Sequence, residues 1–288
     1  MAEQWVPKRK LPPLLILPAL GWFLWFLVIP LSIVVVYSLS TRGTYGGVIF
    51  RFNLANYLRA TDWIYLLIFW NSLKLAFVTT FFCLLLGYPL AYVMATASHR
   101  VRSLLMILVV VPFWTNFVVR AYATKVLFGE FGPINQLGIR FGLLREPLSF
   151  STDFLVVLGM VTNYLPFMVL PLFVALDKFD FSLLEAAKDL GASSWKVLWK
   201  ILIPLTKQGI VTGCIFVFTP ALGEFVIPDL LGGARTFLVG SLITEQFLKT
   251  RDWPFGATLS LLLILIVMGS FVIYFRMESK VESTEENG

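Results

Sequence analysis

"LLEAAKDLGASSWKVLWKILIP" (183–204) is a charged, glycine-punctuated segment in a chain whose other long stretches are apolar. Residues 177–207 hold nine charged side chains. Each would cost about 2.5 to 3.5 kcal/mol at mid-bilayer, and the sum, on the order of 25 kcal/mol, excludes a spanning role. The segment therefore lies in water or against another protein. Its local signals are helical. "SLLE" at 182–185 has the form of a capping box, in which Ser182 accepts from the Glu185 amide and Glu185 reaches back. Ala186 and Ala187 are strong helix formers, and Gly191 suits the left-handed position that closes a helix. Ser193 is placed to cap a second helix, "SWKVLWKILI", whose Trp195, Leu198, Trp199 and Leu202 share one face. Pro204 marks a break or kink.

The rest of the chain sets the context. Of 288 residues, 58% are hydrophobic and only 14% charged, and the mean hydropathy is +0.83. A soluble domain carries about 25% charged residues, so the composition is that of an integral membrane protein. The net charge of +6 comes from Lys and Arg scattered between apolar runs, which fits juxtamembrane positions and not a nucleic-acid patch. Cys83 and Cys214 lie inside apolar runs, and the single histidine, His99, sits beside Arg100 and Arg102. Neither a disulfide framework nor a metal site is expected from them. No phosphate-binding loop, catalytic triad or paired carboxylates occur, so no catalytic residue, cofactor or ATP hydrolysis is expected of this chain.

A membrane-crossing helix needs about 20 mostly apolar residues. Runs at 11–41, 75–98, 103–119, 154–176, 208–223 and 254–275 predict six transmembrane helices in an all-α membrane protein, the fifth being the shortest. The first follows "KRK" at 8–10 as a signal peptide would, but it is about twice too long and lacks a cleavage pattern, so it reads as a retained helix. With the amino terminus inside, the inner segments carry 12 Lys and Arg in 58 residues and the outer ones 11 in 97. The roughly twofold density, with "HRVR" at 99–102 as the short loop, predicts both termini on the cytoplasmic side. The acidic tail "ESTEENG" reads as a frayed end.

Three readings of the opening segment compete: an amphipathic interfacial loop, a DNA-binding helix-turn-helix, and a docking element for a cytoplasmic partner. Tethering between two spans argues against the second. The small Ala/Gly surface and the charges favour the third. The stretch resembles the signature of bacterial ABC importer permeases: Glu-Ala-Ala, three residues, Gly, nine residues, then Ile-x-Leu-Pro. Here those positions are Glu185, Ala186, Ala187, Gly191, Ile201, Ile203 and Pro204, with Ile203 replacing the usual Leu. "VPFWTNFVVRAYA" (111–123), "GEFVIPDLLGG" (223–233) and "RDWPFGA" (251–257) are further similar to the permeases of spermidine/putrescine importers.

The resemblance implies a type I importer permease of MetI-like fold in a bacterial inner membrane. It divides the chain into 1–69 (amino terminus, first helix and outer loop), a core at 70–275 containing the coupling loop 177–207, and a cytoplasmic tail at 276–288. It implies as partners a homologous second permease, an ATPase dimer, an extracytoplasmic polyamine-binding protein and the lipid bilayer. Glu185, Ala186, Ala187, Asp189, Gly191, Ile201 and Pro204 would engage the ATPase.

The fifth run is interrupted by Gly209, Gly213, Pro220 and Gly223, and broken apolar helices border transport paths. Glu224 and Asp229 follow at once, beside Phe225. Carboxylates with aromatic neighbours suit a polycation. Trp114, Asn116, Asn163 and Tyr164 complete the expected path set. The bland alternatives are solvated carboxylates on the outer face and aromatic lipid anchors. A different solute, or an ion-driven carrier, also stays open. A carrier would be expected to hold acidic residues in mid-span, and the apolar runs contain none.

Overall fold

The computed structural model describes residues 17–233 and 237–285, with side chains to Val272; the "KRK" at 8–10 and the extreme tail lie outside them. Backbone in hydrocarbon must satisfy its own N–H and C=O groups, and the apolar runs accordingly become helices. The first is α1 (Leu17–Ser38). A two-stranded hairpin, β1 (Thr41–Arg42) and β2 (Val48–Ile49), and a short α2 (Ala55–Ala60) lead to α3 (Trp63–Thr96). Next come α4 (His99–Trp114), α5 (Phe117–Leu127), α6 (Pro133–Arg140) and α7 (Thr152–Asp177). The inner loop carries α8 (Ser182–Asp189), α9 (Ser194–Val197), a π-turn at Leu198–Leu202 and α10 (Ile203–Leu205). The chain ends through α11 (Lys207–Gly223), α12 (Val226–Gly232), α13 (Val239–Leu248) and α14 (Trp253–Glu285).

Four described helices are long and apolar enough to cross a membrane, and there are six spans if each of two bent pairs counts as one. The second span begins at Trp63, not near residue 70 or 75: Lys74 is exposed on the helix surface and does not stop it. At 34 residues and about 1.5 Å per residue, α3 exceeds the roughly 30 Å hydrocarbon thickness and projects beyond it. The third run is not continuous. It breaks between α4 and α5 with a 99° bend, because Asn116 caps α5 by accepting the Val118 N–H at 2.8 Å. The fifth span bends by 69° between Ser194–Leu205 and α11.

The core is the packing of α3, α7 and α11, with α1 laid against α14 at the periphery. Most of the α1 side chains face outward, as lipid contact requires. Small residues let the central helices touch. A Cβ on Gly213 would lie 2.7 Å from Met168 Sδ, and one on Gly209 would lie 2.5 Å from Ala175 Cβ and 3.0 Å from the Pro171 carbonyl. Gly213→Leu is therefore expected to overpack the α7–α11 contact by about 1–3 kcal/mol. A lower melting temperature of the purified permease checks this, and an unchanged one would refute it.

On the expected outer side, the hairpin and α2 are strapped to the start of α14. Gly47 N–H donates to the Arg251 carbonyl at 3.1 Å, and Arg59 pairs with the buried Asp252 at 2.8 Å. The Arg59 guanidinium lies 3.9 Å over the Phe255 ring.

Candidate functional site

Two regions take shape around the sequence expectations. In the inner loop, the cap of α8 differs from the one expected. Ser182 is already helical, and neither it nor Glu185 closes a capping box. Asp180 accepts the Ser182 N–H at 3.0 Å instead. Hydrogen bonds from Ser182, side chain before backbone, hold the exposed Asp180 carboxyl below its usual range. The far end forms as expected: Gly191 has φ +82°, its N–H bonds the Lys188 carbonyl at 2.9 Å, and the Ala192 N–H reaches Ala187 O at 3.0 Å. That is a complete Schellman closure. Ser193 occupies the cap position of α9 but makes no side-chain cap bond.

The amphipathic face also differs. The π-turn inserts an extra residue into the helical repeat and rotates the apolar stripe. Val197 and Leu202 are buried, whereas Trp195 and Trp199 are exposed with ring centroids 5.8 Å apart. Pro204 is exposed, Ile201 is half-buried, and the bend falls two residues after Pro204, at Thr206. Thr206 shares a hydrogen bond with Tyr88 of α3 at 2.9 Å. Glu185, Ala186, Asp189 and Gly191 face outward, while Ala187 packs against the permease's own core. Leu190, at 88% exposed, and the two tryptophans present unpartnered apolar surface beside these charges.

The second region lies at the depth of the middle of α7, where Asn163 and Tyr164 stand. Tyr164 Oη donates to Glu224 Oε2 at 2.6 Å. Glu224 Oε1 accepts the N–H groups of Phe225 and Val226 at 3.0 and 2.9 Å, so the carboxylate starts α12. Among the described residues no cation stands within ion-pair distance of it; the ion pairs there are Arg59–Asp252 and Arg102–Asp177. Glu224 is thus a half-buried carboxylate whose partners among the described residues are neutral hydrogen-bond donors. It lies at mid-depth although it follows the fifth span, because α11 has only 17 residues and ends beside the middle of α7. The apolar runs themselves hold no acid, as expected; the carboxylate comes from the break between α11 and α12.

The other expected residues divide. Asn163 accepts a hydrogen bond from Arg120 Nη2, which ties α5 to α7. Asp229 is exposed on α12 and accepts from Ser241 Oγ of α13 at 2.8 Å. Trp114, 87% exposed, and Asn116 stand at the α4–α5 break, outside the hydrogen-bonded group around Glu224. Sequence reasoning missed Arg120, whose Nε and Nη1 are buried without a partner among the described residues, and Lys125, which donates to the Leu230 carbonyl at 3.1 Å. The available signal was a lone charge inside the apolar stretch "FVVRAYA".

A family model described as "Binding-protein-dependent transport system inner membrane component" matches residues 87–283. The spermidine/putrescine transport system permease protein PotB of Escherichia coli is 40% identical over 273 residues, 93% of this chain and 99% of that one. PotB of Haemophilus influenzae is 40% identical over 257 residues, 89% and 90% of the two chains. The molybdenum transport system permease protein ModB of Mycobacterium bovis is 31% identical over 202 residues, 70% and 75%. Among solved structures, a bacterial alginate ABC transporter superposes with a TM-score of 0.73 at 16% identity, covering 93% of each chain. At that identity the likeness concerns the fold.

Proposed function

Because this chain belongs to the binding-protein-dependent transport system inner membrane components, we propose that it is the permease subunit through which an ABC importer passes polyamines. It is a multi-pass inner-membrane transport component and not an enzyme. The relatives named for spermidine and putrescine support the substrate, and one observation carries its chemistry: the Glu224 carboxylate at the depth of the middle of α7, hydrogen-bonded by three neutral donors and with no ion-pair partner among the described residues. An ammonium group of a polycation would supply the missing charge. Asp229 and Asn163 extend the polar lining, with Tyr164 as the donor that orients Glu224; Trp114 and Asn116 border the entrance at the broken helix.

Glu185, Ala186, Asp189 and Gly191, with Leu190 and the two tryptophans, form the surface offered to an ATPase subunit; Ala187 and Ile201 shape it from within, and the exposed Pro204 borders it. A second permease and an extracytoplasmic binding protein complete the assembly. The deciding experiment reconstitutes the complex in proteoliposomes with its ATPase and binding protein. ATP-dependent uptake of labelled spermidine is expected, and its absence overturns the substrate.

The same reading places both termini and the inner loop in the cytoplasm. A cysteine introduced at Gly46 should react with an impermeant maleimide from outside, and one at Ser194 should not; the reverse pattern would invert the topology.

A second reading, an importer of oxyanions, is favoured by the Arg120 donors that have no partner among the described residues and by the ModB relative. Competition of spermidine uptake by molybdate against competition by putrescine separates the two.

A further inference from the structure

Arg120 is unexpected in a path for polycations. Its guanidinium stays charged at any physiological pH. It lies on α5, half-buried, at the depth of the middle of α7. Nη2 donates to Asn163, while Nε and Nη1 are buried with no partner among the described residues. On the adjacent residue of α7, Tyr164 holds Glu224. The helices α5, α7 and α12 pack against one another, so the residues that hold the guanidinium and the carboxylate, Asn163 and Tyr164, are neighbours on α7, while among the described residues Arg120 and Glu224 form no ion pair. Each is held by a neutral intermediary. A guanidinium left this incompletely satisfied is costly in place, and a merely structural contact between α5 and α7 would be better served by an apolar side chain.

We propose that Arg120 is the cation barrier of the translocation path, a fixed positive charge that denies the Glu224 position to small monovalent cations while leaving it to a polyamine. This rests on the polycation reading and deepens it. A potassium ion drawn to Glu224 also meets the fixed charge of Arg120 on the packed helix α5, and the two effects oppose each other where water screening is weak. A linear polyamine spreads its charges along an apolar chain. One ammonium engages Glu224 while the flexible chain lets the others stand away from Arg120, so attraction exceeds repulsion. A buried arginine excludes small cations from a water pore by the same physics. The cell needs such a barrier, because a path lined only by carboxylate would short-circuit the membrane potential.

The test is passive rubidium tracer flux through the assembled transporter in proteoliposomes without ATP. Arg120→Gln retains a donor for Asn163 and removes the charge; Arg120→Met removes both; Arg120→Lys keeps the charge. Asn163→Leu removes the hydrogen bond and leaves the charge. Leak is expected to rise about tenfold in the Gln and Met variants, and to stay near wild type in Arg120→Lys and Asn163→Leu. A contact that only braces α5 predicts the opposite order, with Asn163→Leu leaking and Arg120→Gln tight. Co-purification of the ATPase confirms assembly of each variant, and Arg120→Gln stands in if Arg120→Met does not assemble. A tight Arg120→Gln complex, or an Arg120→Lys complex that leaks as freely as Arg120→Gln, overturns the barrier. Absent spermidine uptake by the wild-type complex overturns the polycation reading instead, and the two failures are distinguishable because the flux assay contains no polyamine.

Discussion

Glu224→Gln is expected to slow ATP-driven spermidine uptake by about tenfold or more at matched membrane expression. The substitution keeps shape and hydrogen-bonding reach and removes the charge. A polyamine leaving its binding protein gives up its partners there, and Glu224 offers a replacement held ready by Tyr164 and two backbone N–H groups. Losing one charged contact in a partly desolvated path costs about 1.5–3 kcal/mol, which is roughly tenfold to a hundredfold in rate. Affinity of the binding protein and assembly with the ATPase should stay intact. Tyr164→Phe removes one of the three donors and leaves the charge, so its effect should be smaller. Asp229→Asn should also be milder, since Asp229 is exposed and already bonded to Ser241. An unchanged uptake rate in Glu224→Gln would reduce Glu224 to a structural acceptor for the Phe225 and Val226 N–H groups.

The second large effect concerns Gly191. At φ +82° a β-branched residue is strained, and Gly191→Val would unwind the closure that joins α8 to α9. No atom stands within 4 Å of a Cβ built there, so the cost comes from the backbone and not from a clash. The variant should insert normally, because the site lies outside the spans. It should lose most of its assembly with the ATPase and of substrate-stimulated ATP hydrolysis. Gly191→Asn, which tolerates left-handed backbone, should retain more of both. Equal hydrolysis in wild type and Gly191→Val would remove the loop from the coupling role. Bulk at Ala187 is a less clean probe, since Ala187 packs on the permease's own core.

The sequence by itself determined the elements whose causes are local. Apolar runs became helices because hydrocarbon leaves the backbone no other partner, and the charged stretch 178–193 stayed out of the spans, while Ser194–Leu205 joins α11 as the first arm of a bent pair. Gly191 closed its helix because only a residue without Cβ occupies that backbone region freely. What tertiary structure decided depends on where helices end relative to one another. The break at Asn116 needed a side chain to choose the Val118 amide over continuation of α4. The π-turn rotated Trp195 and Trp199 outward against a 3.6-residue pattern that placed them with Leu202. Glu224 reads in sequence as the far end of a span, yet the shortness of α11 and its close seat on α7 through Gly209 and Gly213 bring the carboxylate to Tyr164 at mid-depth. Arg120 and Asn163 are 43 positions apart and meet only because the 99° bend lays α5 beside α7. Periodicity and composition report the environment of one helix at a time, whereas these placements are relations between helices fixed by close packing.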